Sequence, residues 1–143
     1  MAISCAQVRA AVSAQVSTVS GFHLANLPPS YFGRIVDTIA HKAFAVQISN
    51  ITAVPERQRV SIGTYIKTSV SIKFAYRLRP HDVYPTDYDS SFDSAEDIIQ
   101  AVLGTYSVIQ QGLVGKFDSA TSTIPTAISY IIHQLNFTFF HTI

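Results

Sequence analysis

The clearest pattern in the chain is a long stretch in which apolar and polar residues alternate. Between residues 64 and 79 the even-numbered positions after Thr64 are almost all apolar: Ile66, Val70, Ile72, Phe74, Tyr76 and Leu78, with Thr68 as the polar exception. The odd-numbered positions are mostly polar or basic: Lys67, Ser69, Ser71, Lys73, Arg77 and Arg79. A period of two predicts a long antiparallel strand with one buried face and one face toward solvent or a partner. Pro80 is expected to end it.

The C-terminal segment shows the same alternation from about Ile128 to Phe140. One parity carries Ile131, Leu135, Phe137 and Phe139, and the other carries Tyr130, Gln134, Asn136 and Thr138. A shorter apolar run over residues 43–48 predicts a mostly buried strand, and residues 60–62 are expected to open the next strand.

Two helices are predicted. Ser4 and Gln7 have the spacing of a capping box, valines recur at helical spacing (Val8, Val12, Val16 and Val19), and Gly21 is expected to stop the first helix. The second helix is predicted from about Asp93 to Leu103, with Asp93 or Ser94 as its cap and Gly104 after its end. Its apolar stripe consists of Ala95, Ile98, Ile99, Val102 and Leu103.

The remaining segments are expected to connect these elements. Residues 22–42 are predicted to be extended or turned around Pro28, with a short helix or a loop over 34–39, and 55–59 form a polar connection. Residues 81–92 are predicted as an acidic, aromatic connection, and 105–125 as a loop with one short strand. The order helix, strand, strand, helix, strand predicts a single domain over 1–143. We expect an α+β fold with a mainly antiparallel sheet and two helices on one face.

The composition changes this picture in one respect, because only 13% of the residues are charged, about half the usual fraction. Serine and threonine take the place of charged residues, and the formal net charge is +1. Surfaces of this kind associate readily. The composition therefore suits a subunit of an assembly and equally a plain monomer of low charge.

Several functional classes are not favoured. No apolar run is long enough to span a membrane, and the N-terminal residues do not have the pattern of a secretory signal, so we expect a protein made in the cytosol. Cys5 is the single cysteine, which excludes an internal disulfide. Ten basic residues against nine acidic ones do not form the basic surface expected of a protein built mainly to bind DNA.

Candidate chemistry is sparse. Asp87, Asp89 and Ser91 resemble the opening of a calcium loop, but Phe92 and Ile98 stand where the loop needs a glycine and a glutamate. The five histidines are His23, His41, His81, His133 and His141, and we expect them to be packed or exposed rather than metal ligands. No nucleophile motif and no phosphate-binding motif occur, so we expect no enzymatic activity, no metal and no cofactor.

The charged residues are segregated along the chain. Six of the nine acids fall between residues 82 and 97: Asp82, Asp87, Asp89, Asp93, Glu96 and Asp97. Six of the ten bases fall between 57 and 79: Arg57, Arg59, Lys67, Lys73, Arg77 and Arg79. The two groups can pair within one chain, or they can pair head-to-tail between copies. For the second case the candidate interface residues are Lys67, Lys73, Arg77, Arg79, Asp87, Asp89 and Asp93.

Most of the chain resembles one family, the tail terminator (tail-completion) proteins of long-tailed bacteriophages. The similar segments are VRAAVSAQV (8–16), HKAFAVQI (41–48), GTYIKTSVSIKFAYRL (63–78), DYDSSFDSAEDIIQAVL (87–103) and the closing strand. The resemblance is one of element order and pattern, since the family has no catalytic signature.

The resemblance implies a structural role in the virion. Proteins of this family form a homo-oligomeric ring, commonly a hexamer, on the last ring of the tail tube. There they stop polymerisation of the tube and offer a docking face to the head completion or connector protein. The genome DNA passes through the lumen without sequence-specific binding, and no membrane is involved. The expected location is the tail–neck junction, after assembly in the host cytoplasm.

Three other hypotheses for the function stay open. A head–tail connector or neck subunit would have similar size and chemistry, and it would bind a head completion protein rather than the tail tube. A small ligand-binding or nucleic-acid-binding α+β domain would be a monomer with a concave pocket. An enzyme would show a cluster of polar catalytic groups, and the sequence does not indicate one.

Overall fold

The computed structural model describes residues 2–25, 41–54, 65–79, 84–104, 113–125 and 129–143. Within them the elements are α1 (Cys5–Ser17), β1 (His23–Leu24), β2 (Ala43–Ala53), β3 (Tyr65–Arg77), α2 (Tyr84–Leu103), β4 (Val114–Thr123) and β5 (Tyr130–Thr142). The predictions for residues 26–40, 55–64, 80–83, 105–112 and 126–128, which include Pro80 as the end of a strand, His81, Asp82 and most of the loop after Gly104, lie outside the described residues.

The strands form one sheet in the order β1-β2-β3-β5-β4. Only the short β1 runs parallel to its neighbour β2, and the other three pairs are antiparallel. The central strand β3 pairs with β5 along its whole length, from Tyr65 opposite Thr142 to Arg77 opposite Tyr130. A register shift lies at Ser49 in β2 and another at Asp118 in β4, where each strand carries one extra residue.

Both helices cover the same face of the sheet, which confirms the predicted α+β class. The core between the layers contains Val8, Val12 and Val16 from α1, Ala95, Ile98 and Val102 from α2, and the large side chains Phe44, Ile72, Phe74, Leu135, Phe137 and Phe139 from the strands. The even-numbered residues of β3 therefore face the helices, as the alternation predicts, and its odd-numbered residues face away. In β5 the residues that share parity with Ile131 are buried against the helices, also as predicted.

Helix α1 begins after Ser4, as predicted, but ends at Ser17 rather than directly before Gly21. The Ser4 hydroxyl accepts a hydrogen bond from the backbone N–H of Gln7, and the Gln7 side chain accepts one from the Ser4 N–H. The helix ends at Ser17, because Thr18 caps it with both its backbone N–H and its hydroxyl on the carbonyl of Gln15. Gly21, at a φ of +82°, forms the turn that follows and leads into β1.

Helix α2 begins at Tyr84, nine residues before the predicted start, so the expectation of a connection over 81–92 is wrong for residues 84–92. Pro85 does not interrupt the helix, because proline is tolerated in the first turn, where its missing N–H is not needed. The buried face of the added turns is polar at Asp87 and Ser91, so the hydrophobic stripe becomes visible only from Ala95 onward. Gly104 follows the end of the helix, as predicted.

Strands β2 and β4 are longer than predicted. β2 continues past Ile48 to Ala53, and β4 is a ten-residue edge strand rather than a short one. β4 was hard to recognise because nearly all of its side chains are exposed, so it shows no apolar parity. Glycine is required at position 115, where β4 pairs with β5, since a Cβ on Gly115 would lie 2.6 Å from the ring of Phe139.

Candidate functional site

A cleft of about 240 Å³ opens where the end of β3 meets the start of α2. It is lined by His41, Tyr76, Arg77, Arg79 and Asp87. Tyr76 and Arg77 come from the end of β3, and Arg79 follows two residues later. Asp87 comes from the first turn of α2 and His41 from the turn before β2. Two of the three charged side chains in the cleft are cationic, so its lining carries a positive excess.

Arg79 and Asp87 form a bidentate ion pair in one wall of this cleft. The guanidinium Nε and Nη2 lie 3.0 and 2.9 Å from the two carboxylate oxygens, and the backbone N–H of Arg79 donates a third hydrogen bond at 2.8 Å. These bonds lower the pKa of Asp87 to about 2, since they all favour the ionised carboxylate. The carboxylate is only 5% exposed, so this pair fastens the first turn of α2 to the end of β3.

His41 is held in one orientation at the opposite side of the cleft. Its Nδ1 accepts a hydrogen bond from the backbone N–H of Arg77 at 3.1 Å, so the neutral ring carries its proton on Nε2. The ring packs edge-on against Tyr76 with the centroids 4.5 Å apart. Burial lowers the pKa of His41, and the positive charges of Lys42 and Arg77 lower it further.

A strained residue fixes the turn that carries His41. Lys42 has a φ of 62°, in the left-handed region that non-glycine residues rarely adopt. Its backbone is bonded on both sides, since its N–H donates to Ala75 and its carbonyl accepts from His23. Its ammonium group donates to the carbonyl of Ser20. The neighbouring strands therefore hold this conformation in place, together with the histidine before it.

A second polar cluster lies inside the molecule around His133 of β5. His133 Nε2 lies 2.9 Å from the Ser91 hydroxyl, which itself donates to the carbonyl of Tyr88. Nε2 must therefore carry the proton, and Nδ1 accepts from the Ser122 hydroxyl at 2.8 Å. The ring stacks on Phe74 and meets Phe92 edge-on. Burial lowers the pKa of His133 to about 4.

The pairing of Ser122 with His133 has the geometry of a nucleophile and its base, which the sequence motifs did not indicate. His133 would be a weak general base, because an imidazole with a pKa of about 4 has little tendency to accept the proton of a serine hydroxyl. The second ring nitrogen faces the hydroxyl of Ser91 rather than a carboxylate that would stabilise an imidazolium ion. The cluster is better suited to holding α2 and β4 against β5.

A third cluster fastens the N-terminus to the sheet. His141 donates from Nδ1 to the carbonyl of Ile3 and accepts at Nε2 from the Thr68 hydroxyl, both at 2.7 Å. The Cys5 sulfur lies 3.6 Å from the same hydroxyl. His133 and His141 are thus packed, as predicted, and each has its own set of partners.

The face of the sheet opposite the helices is polar at its centre and, within the described residues, is not covered by a helix. At one end of this face Ala45, Ala75 and Ile132 form a small buried apolar cluster. Asn136 lies at its centre, accepting from Ser71 at 2.8 Å and from Gln134 at 3.1 Å, and donating to Ser119 at 3.1 Å. This row of hydrogen bonds crosses β3, β5 and β4. We call this surface the open face.

The structure separates the residues predicted to form an interface. Lys67, Lys73 and Arg77 lie on the odd-numbered side of β3, which is the open face. Asp89 and Asp93 are exposed on α2, which covers the other face of the sheet. Arg79 and Asp87, by contrast, pair with each other inside one chain.

The remaining basic and acidic groups therefore lie on opposite sides of the molecule. Among the described residues the ion pairs are Arg79 with Asp87 and Lys116 with Asp118. Of the predicted interface residues, Arg79 and Asp87 thus form an ion pair within one chain. Lys67, Lys73, Arg77, Asp89 and Asp93 form none among the described residues. Arg57, Arg59 and Asp82 lie outside the described residues.

Other kinds of site receive no support from the part of the chain that the structure describes. No three histidine, cysteine, aspartate or glutamate side chains there come close enough together to hold a metal ion. Asp87, Asp89 and Ser91 lie on a helix and not in a loop. None of the described helices is long and apolar enough to cross a membrane.

His41 and Tyr76 are the cleft residues that the sequence did not suggest. No local motif connects them to Arg79 and Asp87, because the cleft is assembled from three separate segments. A helical signal for the first turns of α2 was present in the aromatic spacing of Tyr84, Tyr88 and Phe92, whose rings follow one another at 6.1 and 5.1 Å.

The chain matches no protein-family model, and a search of curated proteins finds no relative.

Proposed function

We propose that the protein is a structural subunit that assembles into a ring and caps the tail tube of a bacteriophage. In this role it ends polymerisation of the tube and offers a docking surface to the head completion or connector protein. The identity of the assembly comes from the sequence resemblance. The surfaces through which copies would associate lie at the two edges of the sheet.

One observation carries the proposal: the sheet ends in a long edge strand that is exposed along almost its whole length. β4 has ten residues, and all of them except the half-buried Gly115 are exposed. Its only charged side chains, Lys116 and Asp118, lie 3.7 Å apart and oppose each other in sign. Beyond Asp118 the strand reads Ser-Ala-Thr-Ser-Thr, which lacks the charges and prolines that protect edge strands from pairing.

The opposite edge of the same sheet offers a counterpart in a second copy. Within the described residues β1 pairs with Ala43 and Phe44, and β2 continues for nine further residues to Ala53. Successive antiparallel pairings from β2 through β3 and β5 make β4 run opposite to β2. Rotation about an axis along the strands keeps their directions, so β4 of one copy meets β2 of the next in antiparallel orientation. Repetition of such a head-to-tail contact closes a ring when the rotation permits.

The occupant of the β4 edge is therefore a second copy of this chain. The low charge of the chain supports this choice, since little electrostatic repulsion opposes the approach of identical surfaces.

The test is the mass and shape of the purified protein. Native mass spectrometry and negative-stain images should show a ring with a central pore. Replacing Thr121 and Thr123 with lysine places two charges on the free edge and should convert the rings to folded monomers. A control with Ala14→Lys and Gln100→Lys adds the same charge on exposed positions of the helices and should leave the rings intact.

A wild-type protein that is monomeric well above about 1 μM would contradict the proposal. Binding of the ring to tail-tube protein distinguishes the terminator from a neck subunit, which would bind a head completion protein instead.

A further inference from the structure

We propose that the cleft between His41, Arg77 and Arg79 binds a phosphate-type oxyanion. The inference concerns a site apart from the β4 edge, and it does not depend on the proposed ring. It rests on the donor side chains that line the cleft, on the contacts that hold them and on the size of the space.

Each of the three donor side chains has a contact within the protein that restrains it. Arg79 is locked by its two side-chain hydrogen bonds to Asp87, which also neutralise that carboxylate. Arg77 lies against Tyr130, with its guanidinium carbon 5.9 Å from the ring centroid and Nη2 3.4 Å from the hydroxyl. His41 accepts at Nδ1, so its Nε2–H remains a donor.

The charge of the cleft is unbalanced. Asp87 compensates Arg79, while Arg77 has no carboxylate partner among the described residues. Lys42, next to His41 in the chain, adds a further positive charge whose effect reaches the His41 ring. The charged and titratable groups that face this ring are therefore Lys42, Arg77 and Arg79 on the positive side and Asp87 on the negative side. An anion at this place would restore the balance.

The size of the cleft limits the ligand to a small group. A volume of about 240 Å³ corresponds to roughly eight water molecules and is smaller than the pockets that hold drug-sized ligands. A tetrahedral oxyanion has three or more acceptor oxygens, enough for two guanidinium groups and an imidazole N–H. A planar carboxylate has two, and Arg79 already holds one carboxylate. The arrangement thus favours phosphate over carboxylate ligands.

The test follows the histidine ring signals of the full-length protein by NMR, with His41→Gln to assign the His41 signal. Sulfate, whose charge does not change near neutral pH, and phosphate are the probes, with chloride at equal ionic strength as the reference. A bound anion stabilises the protonated ring, so we expect the pKa of His41 to rise by about 0.5–1 unit, with saturation at about millimolar concentration. Acetate should produce a smaller rise.

Arg77→Gln removes the unpaired guanidinium and should abolish the response while circular dichroism shows a folded protein. Lys67→Gln is the matched control, since it removes a charge from the same side of β3 at the other end of the strand, and it should respond like the wild type. Arg79 is not substituted, because its loss would leave the buried carboxylate of Asp87 without its ion-pair partner.

Two further ligands identify the source of the phosphoryl group. A response to glycerol phosphate and not to a short oligonucleotide assigns a small phosphorylated molecule, and a response to both assigns a nucleic-acid backbone. The proposal is overturned if sulfate and phosphate act like chloride, if acetate equals sulfate, or if Arg77→Gln responds like the wild type.

Discussion

At the scale of single residues, the buried polar side chains explain how α2 stays attached to the sheet. Asp87 and Ser91 occupy positions on its buried face, where apolar residues would ordinarily lie. Each has a specific partner in a strand or next to one, Asp87 with Arg79 and Ser91 with His133. Buried polar groups are tolerated when they are hydrogen-bonded in this way, and they are costly when one partner is lost. These contacts make the orientation of α2 more specific than apolar packing alone would.

His133 should make the fold sensitive to mild acid. Its pKa is about 4 in the folded protein and 6.5 without the fold, so the unfolded chain binds a proton first as the pH falls. The free energy of unfolding should therefore decrease between about pH 6.5 and pH 4, by up to about 3 kcal/mol from this residue. His141, whose pKa is also lowered by burial, acts in the same direction. Urea unfolding at pH 7, 6 and 5 measures the decrease.

The matched variant for this prediction is His133→Asn, which keeps a polar side chain and cannot be protonated. Its absolute stability will be lower, but its dependence on pH in this window should be flatter than that of the wild type. Asp87 does not interfere, because a folded-state pKa of about 2 places its loss of stabilisation below about pH 4. Parallel pH profiles for the two proteins would show that His133 is not the responsible group.

At the scale of elements, the sequence predicted those whose apolar residues follow a regular period and missed those that depend on distant partners. The parity of β3 was sufficient to identify its buried face, because every second side chain from Ile66 to Phe74 is buried under the helices. The first turns of α2 were missed because their buried side chains are polar and are satisfied by Arg79 and His133, far away in the sequence or in another element. The length of β4 was underestimated because nearly all of its side chains are exposed, so its sequence shows no alternation of apolar and polar residues. The cleft could not be predicted either, because its lining residues come from three segments that are separate in the sequence.

The two faces of β3 should respond differently to the same substitution. Ile72 is fully buried, so Ile72→Asp would place a carboxylate without a partner in the core, at a cost of several kcal/mol. A domain of this size is stable by about 5–15 kcal/mol, so we expect largely insoluble or unfolded protein. Lys73→Asp, on the open face, should leave the fold intact. Circular dichroism and solubility measure both, and equal damage would contradict the assignment of the faces.

At the scale of the whole molecule, the sheet separates two charged surfaces. The basic side chains of β3 lie on the open face, and the acidic side chains of α2 lie on the outside of the helical layer. Groups on opposite sides of one copy cannot pair with each other. They can meet when the open face of one copy lies against the helical layer of the next, a head-to-tail packing that is an alternative to the pairing of β4 with β2. Exposed ion pairs contribute only about 0–1 kcal/mol each, so apolar contacts must supply most of the association energy in this packing. The charges would then determine orientation and register.

Reversal of charge tests this arrangement. We expect Lys67→Glu with Lys73→Glu to shift rings toward folded monomers at low salt, because the substituted open face would repel the acidic side of the neighbouring copy. The effect should weaken above about 0.1 M salt, where screening acts over about 10 Å. These two lysines are chosen over Arg77 so that the cleft stays intact. Arg9→Glu with Ala10→Glu and Ala14→Glu makes the same change of net charge on exposed positions of α1 and should have a smaller effect.

Compensation is the decisive part of this experiment. Adding Asp89→Lys and Asp93→Lys to the open-face variant restores opposite signs across the proposed contact and should recover part of the rings, as measured by sedimentation at one protein concentration. Recovery requires that the two surfaces meet, since restoring net charge elsewhere on the molecule cannot re-create a local pairing. If the first variant still forms rings at wild-type concentration and salt, the charged surfaces are not partners. Rings formed through the β4 edge, without contact between the two charged surfaces, would then be the better account.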